Sequence, residues 1–122
     1  MIDRATVLVA SDDEGTRAQV RMTLGVDRFE VHEAQDTDEA IREIAERLPV
    51  VVILDLALPG RGALAVARSV RTQPETAMAK SLLLVPRGEQ VAADAVGVDA
   101  SLAVPTTSFA LLRKVDDLLT AG

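Results

Sequence analysis

Acidic residues stand directly after two apolar segments of this sequence, and they are the strongest candidates for chemistry. Asp12, Asp13 and Glu14 follow the first apolar segment, and Asp55 follows the run 50–54. Carboxylates that meet at one edge of a protein repel each other unless a cation or a proton lies between them. Oxygen ligands of this kind suit Mg²⁺ or Ca²⁺ rather than Zn²⁺. Because Asp55 lies among apolar neighbours, where an ionised group loses hydration, it is the residue with the best-supported functional origin.

The composition excludes several other kinds of site. The 122 residues include no cysteine and a single histidine, His32, which excludes disulfides, thiolate ligands, cysteine nucleophiles and multi-histidine metal sites. We interpret His32 as a strand residue. With 13 basic and 19 acidic residues the formal net charge is −6, so we expect this domain to bind no nucleic acid. No apolar run reaches the roughly 18 residues of a membrane span, and no signal-peptide pattern is present, so we expect a cytoplasmic protein without membrane contact.

The elements that must position these residues follow from the hydrophobic pattern. Short apolar runs rich in branched residues are typical of strands buried on both faces, and one alternating run indicates a strand nearer the edge. Apolar residues at helical spacing, with capping residues before them, predict a helix after each strand. The predicted strands are 5–10, 29–33, 50–54, 82–85 and 101–104, and the predicted helices are 17–24, 36–48, 62–71, 88–96 and 106–119.

Strand and helix alternate five times, which predicts a parallel sheet with right-handed crossovers and helices on both faces. The fold class is therefore α/β, a flavodoxin-like (βα)5 three-layer sandwich with strand order 2-1-3-4-5, formed by residues 1–122 as one domain. In such sheets, ligands lie beyond the carboxyl ends of the strands, where the strand order reverses. That point lies between the first and third strands, which are followed by Asp12 and Asp55.

Several stretches together resemble the receiver domain of two-component response regulators, over essentially the whole chain. The stretch 7–14 with Arg17 is similar to the family's first strand and acidic pair, and 49–60 resembles the segment that carries the phospho-accepting aspartate. Further stretches that fit the family are Ala34 to Ala40 in the second βα unit, 97–99 before the fifth strand, and Val104 with Pro105 after it.

The resemblance implies that Asp55 accepts a phosphoryl group from a phosphohistidine or a small phosphodonor. It also implies Mg²⁺ held by Asp55, by an acidic pair and by the backbone carbonyl of Ala57. When the sequence is matched to the family pattern without gaps, Ser11 and Asp12 stand at the positions of the acidic pair. Because serine carries no charge, we expect Mg²⁺ to bind weakly. Shifting the match by one residue would make Asp12 and Asp13 the acidic pair, but Arg17 and the first helix would then no longer match the family pattern.

Three further positions depart from the family pattern. Val85 stands where the family has a hydroxyl residue, Val104 where it has a lysine, and Ser101 where it has an aromatic switch residue. Without a cation, phosphoryl transfer to Asp55 loses several kcal/mol of electrostatic stabilisation, and two valines facing Asp55 would desolvate it. These departures favour an atypical receiver, or pseudo-receiver, that acts through protein contacts with little or no phosphorylation.

Two alternative functions remain open. Arg61 and Arg87 follow the third and fourth strands, and either could replace the missing lysine, since arginine binds phosphate well. The chain would then be a working phosphoacceptor, catalysing at most its own slow phosphorylation at Asp55. The second alternative, a small flavodoxin-like nucleotide or cofactor binder, is disfavoured because the sequence has no glycine-rich phosphate loop and no tryptophan or tyrosine to stack on a ring.

The last helix carries the candidate partner face. Phe109 lies off its apolar stripe, and Arg113 and Lys114 follow on the same helix. An exposed aromatic residue can anchor a partner, although Phe109 could instead pack on the preceding helix. The resemblance implies a protein partner, such as a histidine kinase, an output domain or another signalling protein. It also implies a possible homodimer through the last two helices.

Overall fold

A five-stranded parallel sheet forms the centre of the computed structural model, which describes residues 4–25, 28–89, 91 and 97–121. Four helices among these residues flank the sheet. The strands are β1 (Ala5–Ala10), β2 (Phe29–Ala34), β3 (Val51–Asp55), β4 (Lys80–Pro86) and β5 (Ala100–Val104), and the helices are α1 (Glu14–Leu24), α2 (Thr37–Arg47), α3 (Ala63–Thr72) and α4 (Ser108–Thr120).

The strand order is β2-β1-β3-β4-β5, as the sequence predicted. β2, predicted to lie near the edge, is an edge strand, and β1, β3 and β4 are central. The helix predicted over 88–96 falls largely on residues 90 and 92–96, which lie outside the described residues. Among the helices described, none combines the length and the apolar character that a membrane span requires.

The central strands are buried on both faces because their residues alternate between two cores. Val9, Ile53 and Leu84 belong to a core that also contains residues of α1 and α4. Leu54 and Val85 belong to a second core, on the other face, that contains residues of α2 and α3. This double burial is the physical reason that these strands read as continuous apolar runs rather than as alternating ones.

α2 and α4 begin where the sequence predicted capping signals. The Asp36 carboxylate accepts a hydrogen bond from the Glu39 amide (2.8 Å), and the Glu39 carboxylate accepts one from the Gln35 amide (2.8 Å). Thr107 caps α4 in the same manner, and Gly25 ends α1. These caps satisfy backbone donors that a helix leaves without partners in its first turn. They fix the loops after β2 and β5 at the carboxyl edge of the sheet.

Candidate functional site

Ser11 and Asp55 lie side by side at the carboxyl ends of the two central strands β1 and β3. The strands pair in register, with Val9 opposite Ile53 and Ala10 opposite Leu54, so the next residue of each strand reaches the same point of the edge. The Ser11 side chain is fully buried, and its Oγ donates a hydrogen bond of 2.6 Å to Asp55 Oδ2. A hydroxyl therefore occupies the position at which the resemblance implies a second carboxylate.

The other oxygen of the Asp55 carboxylate also has a donor. The Ala57 amide donates to Asp55 Oδ1 at 3.0 Å, and the Leu58 amide donates to the Asp55 backbone carbonyl at 3.0 Å. Ala57 thus contacts the carboxylate through its N–H group. Both oxygens of the Asp55 carboxylate therefore accept a hydrogen bond from the protein itself.

The acidic residues after β1 have separate roles. Asp13 caps α1, and its Oδ2 accepts hydrogen bonds from the Thr16 hydroxyl (2.8 Å) and the Thr16 amide (2.9 Å). These two bonds, in that order, hold the pKa of Asp13 below its usual value. Asp12 is exposed, and its carboxylate has no hydrogen bond or ion pair with any residue that the structure describes. Of Asp12 and Asp13, it is Asp12 whose carboxylate has no bond to a described residue and is therefore available to a cation.

Arg17 fixes the backbone of Ser11. The Arg17 side chain is 9% exposed, and one of its terminal nitrogens donates to the Ser11 carbonyl at 2.8 Å. Its remaining donors pair with Glu14 (2.6 Å) and Glu33 (3.1 Å). In the sequence, Arg17 served only to fix the match with the family pattern. The fold shows in addition that its charged side chain is buried, because Glu33 of β2 lies beside α1.

With Ser11 in place of an acid, the carboxylates available to Mg²⁺ at this edge are Asp12 and Asp55 rather than the three that the resemblance implies. Among the residues described, no three or more His, Cys, Asp or Glu side chains are grouped so that they could hold a metal ion. Mg²⁺ requires near-ideal octahedral oxygen ligands and favours carboxylates, but here the Ser11 hydroxyl replaces one carboxylate. The same hydroxyl also donates a hydrogen bond to one oxygen of the Asp55 carboxylate. One or two carboxylates can hold a Mg²⁺ ion, so the loss of one carboxylate lowers the charge that this site offers the ion without excluding it.

Val85 and Val104, which stand where the family has a hydroxyl residue and a lysine, pack into opposite cores. Val85 belongs to the core under α2 and α3, whereas Val104 packs against the core under α1 and α4. The register explains this, because Val104 pairs with Pro86 and so points to the face opposite Val85. That both valines face Asp55, the condition for its desolvation, stays a prediction. Ser101 is half-buried and lines an open cavity of about 560 Å³ together with Val85.

Arg61 and Arg87, the candidate replacement cations, have no ion pair with Asp55 in the described part of the chain. Arg87 donates through its guanidinium to the Pro105 carbonyl at 3.0 Å and through its amide to the Val104 carbonyl at 3.0 Å. Arg61 is exposed in the loop between β3 and α3. Arg87 ties two loops together instead of supplying charge to the carboxylate.

The candidate partner face on α4 is exposed at its first turn. Phe109 is 73% exposed, Arg113 is exposed and Lys114 is half-buried. On the neighbouring side, the Thr23 hydroxyl of α1 donates to the Ser108 hydroxyl at 2.9 Å. The alternative contact of Phe109 with the preceding helix falls mainly on 92–96, outside the described residues. The homodimer through the last two helices stays a prediction.

Comparisons with known proteins agree on one family. The family model described as the response regulator receiver domain matches residues 7–104. The chain is 33% identical over 116 residues to the phosphate regulon transcriptional regulatory protein PhoB of Rhizobium meliloti (strain 1021), covering 93% of this chain and 51% of that protein. It is 28% identical over 116 residues to the transcriptional regulatory protein ResD of Bacillus subtilis (strain 168), covering 93% and 47%. The chain thus spans about half the length of these relatives.

Solved structures show the same architecture. The chemotaxis protein CheY4 of Vibrio cholerae is similar with a TM-score of 0.86 and 26% identity, over 95% of this chain and 99% of that chain. The receiver domain of NtrX from Brucella abortus is similar with a TM-score of 0.85 and 25% identity, over 95% and 99%. The likeness therefore covers nearly the whole chain in both cases.

Proposed function

The chain belongs to the response regulator receiver domain family of two-component signalling, and we propose that this member acts in the cytoplasm through protein contacts, with little or no phosphorylation of Asp55. Receiver domains in general are not enzymes, and this one would at most phosphorylate itself slowly. The proposal concerns how the site works, since the family itself follows from the match over residues 7–104.

The hydrogen bond from Ser11 Oγ to Asp55 Oδ2, at 2.6 Å, is the observation that carries the proposal. Two adjacent carboxylates repel each other and gain from a cation between them. A hydroxyl and a carboxylate attract each other, so this pair is stable without a metal. The same bond engages one lone pair of Asp55 Oδ2, so that oxygen is a poorer nucleophile toward phosphorus while the bond holds. Weak Mg²⁺ binding and slow phosphoryl transfer are the expected consequences.

The replacement of the family's lysine by Val104 is a second argument for the proposal. Phosphoryl transfer depends on positioning and on neutralisation of the phosphoryl oxygens, for which proteins supply Lys, Arg or metal. Val104 has no charge, and the Arg87 guanidinium is engaged with the Pro105 carbonyl at 3.0 Å. Each lost donor of this kind costs about 2.7–4 kcal/mol of transition-state stabilisation.

A protein is the expected partner: a histidine kinase, an output domain or another signalling protein. The exposed first turn of α4 supports this, because Phe109 offers an apolar anchor beside the charged groups of Arg113 and Lys114. Such charges would set the register of a complex more than its affinity. A symmetric dimer through the same helix is the corresponding homotypic arrangement.

Incubation with acetyl phosphate and Mg²⁺, followed by intact-mass measurement, tests the proposal. We expect no stable adduct on the wild-type chain, and no change in its amide NMR spectrum when beryllofluoride is added. The Asp55→Asn variant is the matched control, because it removes the acceptor while keeping the side-chain shape. A stoichiometric adduct that Asp55→Asn abolishes would refute the proposal and establish the phosphoacceptor alternative. In that case Arg61→Ala would test whether the exposed guanidinium supplies the charge.

A further inference from the structure

The loop between β3 and α3 is fastened to the first turn of α2 by one buried residue. Thr37 is 1% exposed. Its amide and its hydroxyl both donate to the Pro59 carbonyl, at 3.0 and 2.8 Å. The same hydroxyl oxygen accepts a hydrogen bond from the Gly62 amide at 2.8 Å. One threonine thus makes three hydrogen bonds to a segment that lies 22 to 25 residues further along the chain.

The loop is shaped to receive Thr37. Gly60 and Gly62 both have positive φ angles, of 95° and 97°, which L side chains rarely adopt. A Cβ atom added at Gly60 would lie 3.1 Å from both Cβ and Oγ1 of Thr37. The glycine therefore allows a close approach of the loop backbone to the threonine. Because the hydroxyl donates and accepts at once, a shift of the loop would leave buried polar groups without partners.

The fastened loop is continuous with Asp55. It begins with the Leu58 amide bonded to the Asp55 carbonyl and the Ala57 amide bonded to the Asp55 carboxylate. Across the edge, the carboxylate accepts from Ser11 Oγ, which in turn accepts from the Asp13 amide at 3.1 Å. Hydrogen bonds therefore link the start of α1, the end of β3, the β3–α3 loop and the start of α2 in one series.

We propose that Thr37 is a positioning residue that latches the β3–α3 loop in a single arrangement. The inference rests on the proposed function and deepens it, since it names the device that keeps the surface constant. The latched loop presents the exposed Arg61 side chain in a fixed place. A partner that binds this edge would meet the same surface without any phosphoryl transfer.

Amide hydrogen exchange of the whole chain, measured by NMR, tests the latch. In Thr37→Val, which keeps the shape but removes the hydroxyl, exchange of the Gly62 amide should accelerate on the order of tenfold relative to that of Ile53. Thr37→Ser keeps the hydroxyl and should leave this ratio unchanged. Thr76→Val is the matched control, because Thr76 is also buried and its Oγ1 donates to the Val70 carbonyl at 2.8 Å. It should not change the ratio.

Two results would overturn the latch: an unchanged ratio in Thr37→Val, or an equal acceleration in Thr37→Ser or Thr76→Val. If Thr37→Val does not fold, Gly60→Ala supplies a second route. Its added methyl crowds Thr37, so the amide signals of Thr37 and Gly62 should shift together, and independent shifts would contradict the latch. Failure of the proposed function is separate, because it appears as a phosphorylated wild-type chain. In that case the exchange ratios still decide the role of Thr37.

Discussion

Replacing Ser11 by aspartate should make the stability of this domain depend on Mg²⁺. The hydroxyl oxygen lies 2.6 Å from Asp55 Oδ2, inside the core. A carboxylate introduced there would lie within about 4 Å of Asp55, where two like charges repel by roughly 4 kcal/mol at an effective dielectric constant of about 20. The hydrogen bond to a charged group, about 1.5–3 kcal/mol, is lost as well. Allowing for relaxation, we expect Ser11→Asp to lower the free energy of unfolding by about 3–5 kcal/mol.

Two conditions should relieve this loss. With a dissociation constant of about 1 mM, 10 mM Mg²⁺ would restore about 1.4 kcal/mol through binding to the folded state alone. Lower pH should also relieve it, because repulsion raises the pKa of the introduced carboxyl in the folded protein. The variant is then most destabilised at neutral pH, and its deficit shrinks as the pH falls through that raised pKa and the group takes up a proton.

Urea unfolding with and without Mg²⁺, at pH 5 and pH 7.5, measures these effects. Ser11→Ala is the matched control, since it removes the hydrogen bond without adding charge, and its stability should not respond to Mg²⁺. The wild-type chain should respond no more than Ser11→Ala. The reasoning fails if Mg²⁺ stabilises the wild type as strongly as Ser11→Asp, or if Ser11→Asp is as stable as the wild type without Mg²⁺.

Three further predictions concern stability. Arg17→Ala should cost about 1–3 kcal/mol, because it leaves the Ser11 carbonyl without its buried donor. Arg21→Ala, at a half-exposed partner of Glu33, should cost less than about 1 kcal/mol. Equal losses in urea unfolding would contradict the burial argument. Ser81→Ala should raise the free energy of unfolding by about 1 kcal/mol, since the Ser81 Oγ is buried and has no partner among the described residues; a clear loss of stability would show that the hydroxyl is bonded. Hydrogen bonds from Thr16 lower the pKa of Asp13 in the folded state. The stability advantage of the wild type over Asp13→Ala should therefore be complete above the ordinary Asp value of 3.8 and decline as the pH falls from there through the lowered pKa. Acid-unfolding curves in which the difference between the two chains does not change with pH would exclude this origin.

The sequence alone determined the architecture of this chain. Uninterrupted apolar runs such as 50–54 identify strands buried on both faces, and the capping pair Asp36 and Glu39 locates the start of α2. These signals are local, because the residues that carry them lie within or next to the element that they specify. Strand–helix alternation then leaves few topologies, and the order of the five strands was predicted correctly.

The tertiary structure decided which polar groups meet. The sequence shows that Ser11 departs from the family pattern, but the 2.6 Å contact with Asp55 joins residues 44 positions apart and depends on the register of β1 against β3. In the same way, the pairing of Val104 with Pro86 sends the two valines into opposite cores. Thr37 carries no local signal of its contact with Gly62. Side-chain direction follows from register and loop path, which are set by the packing of distant segments.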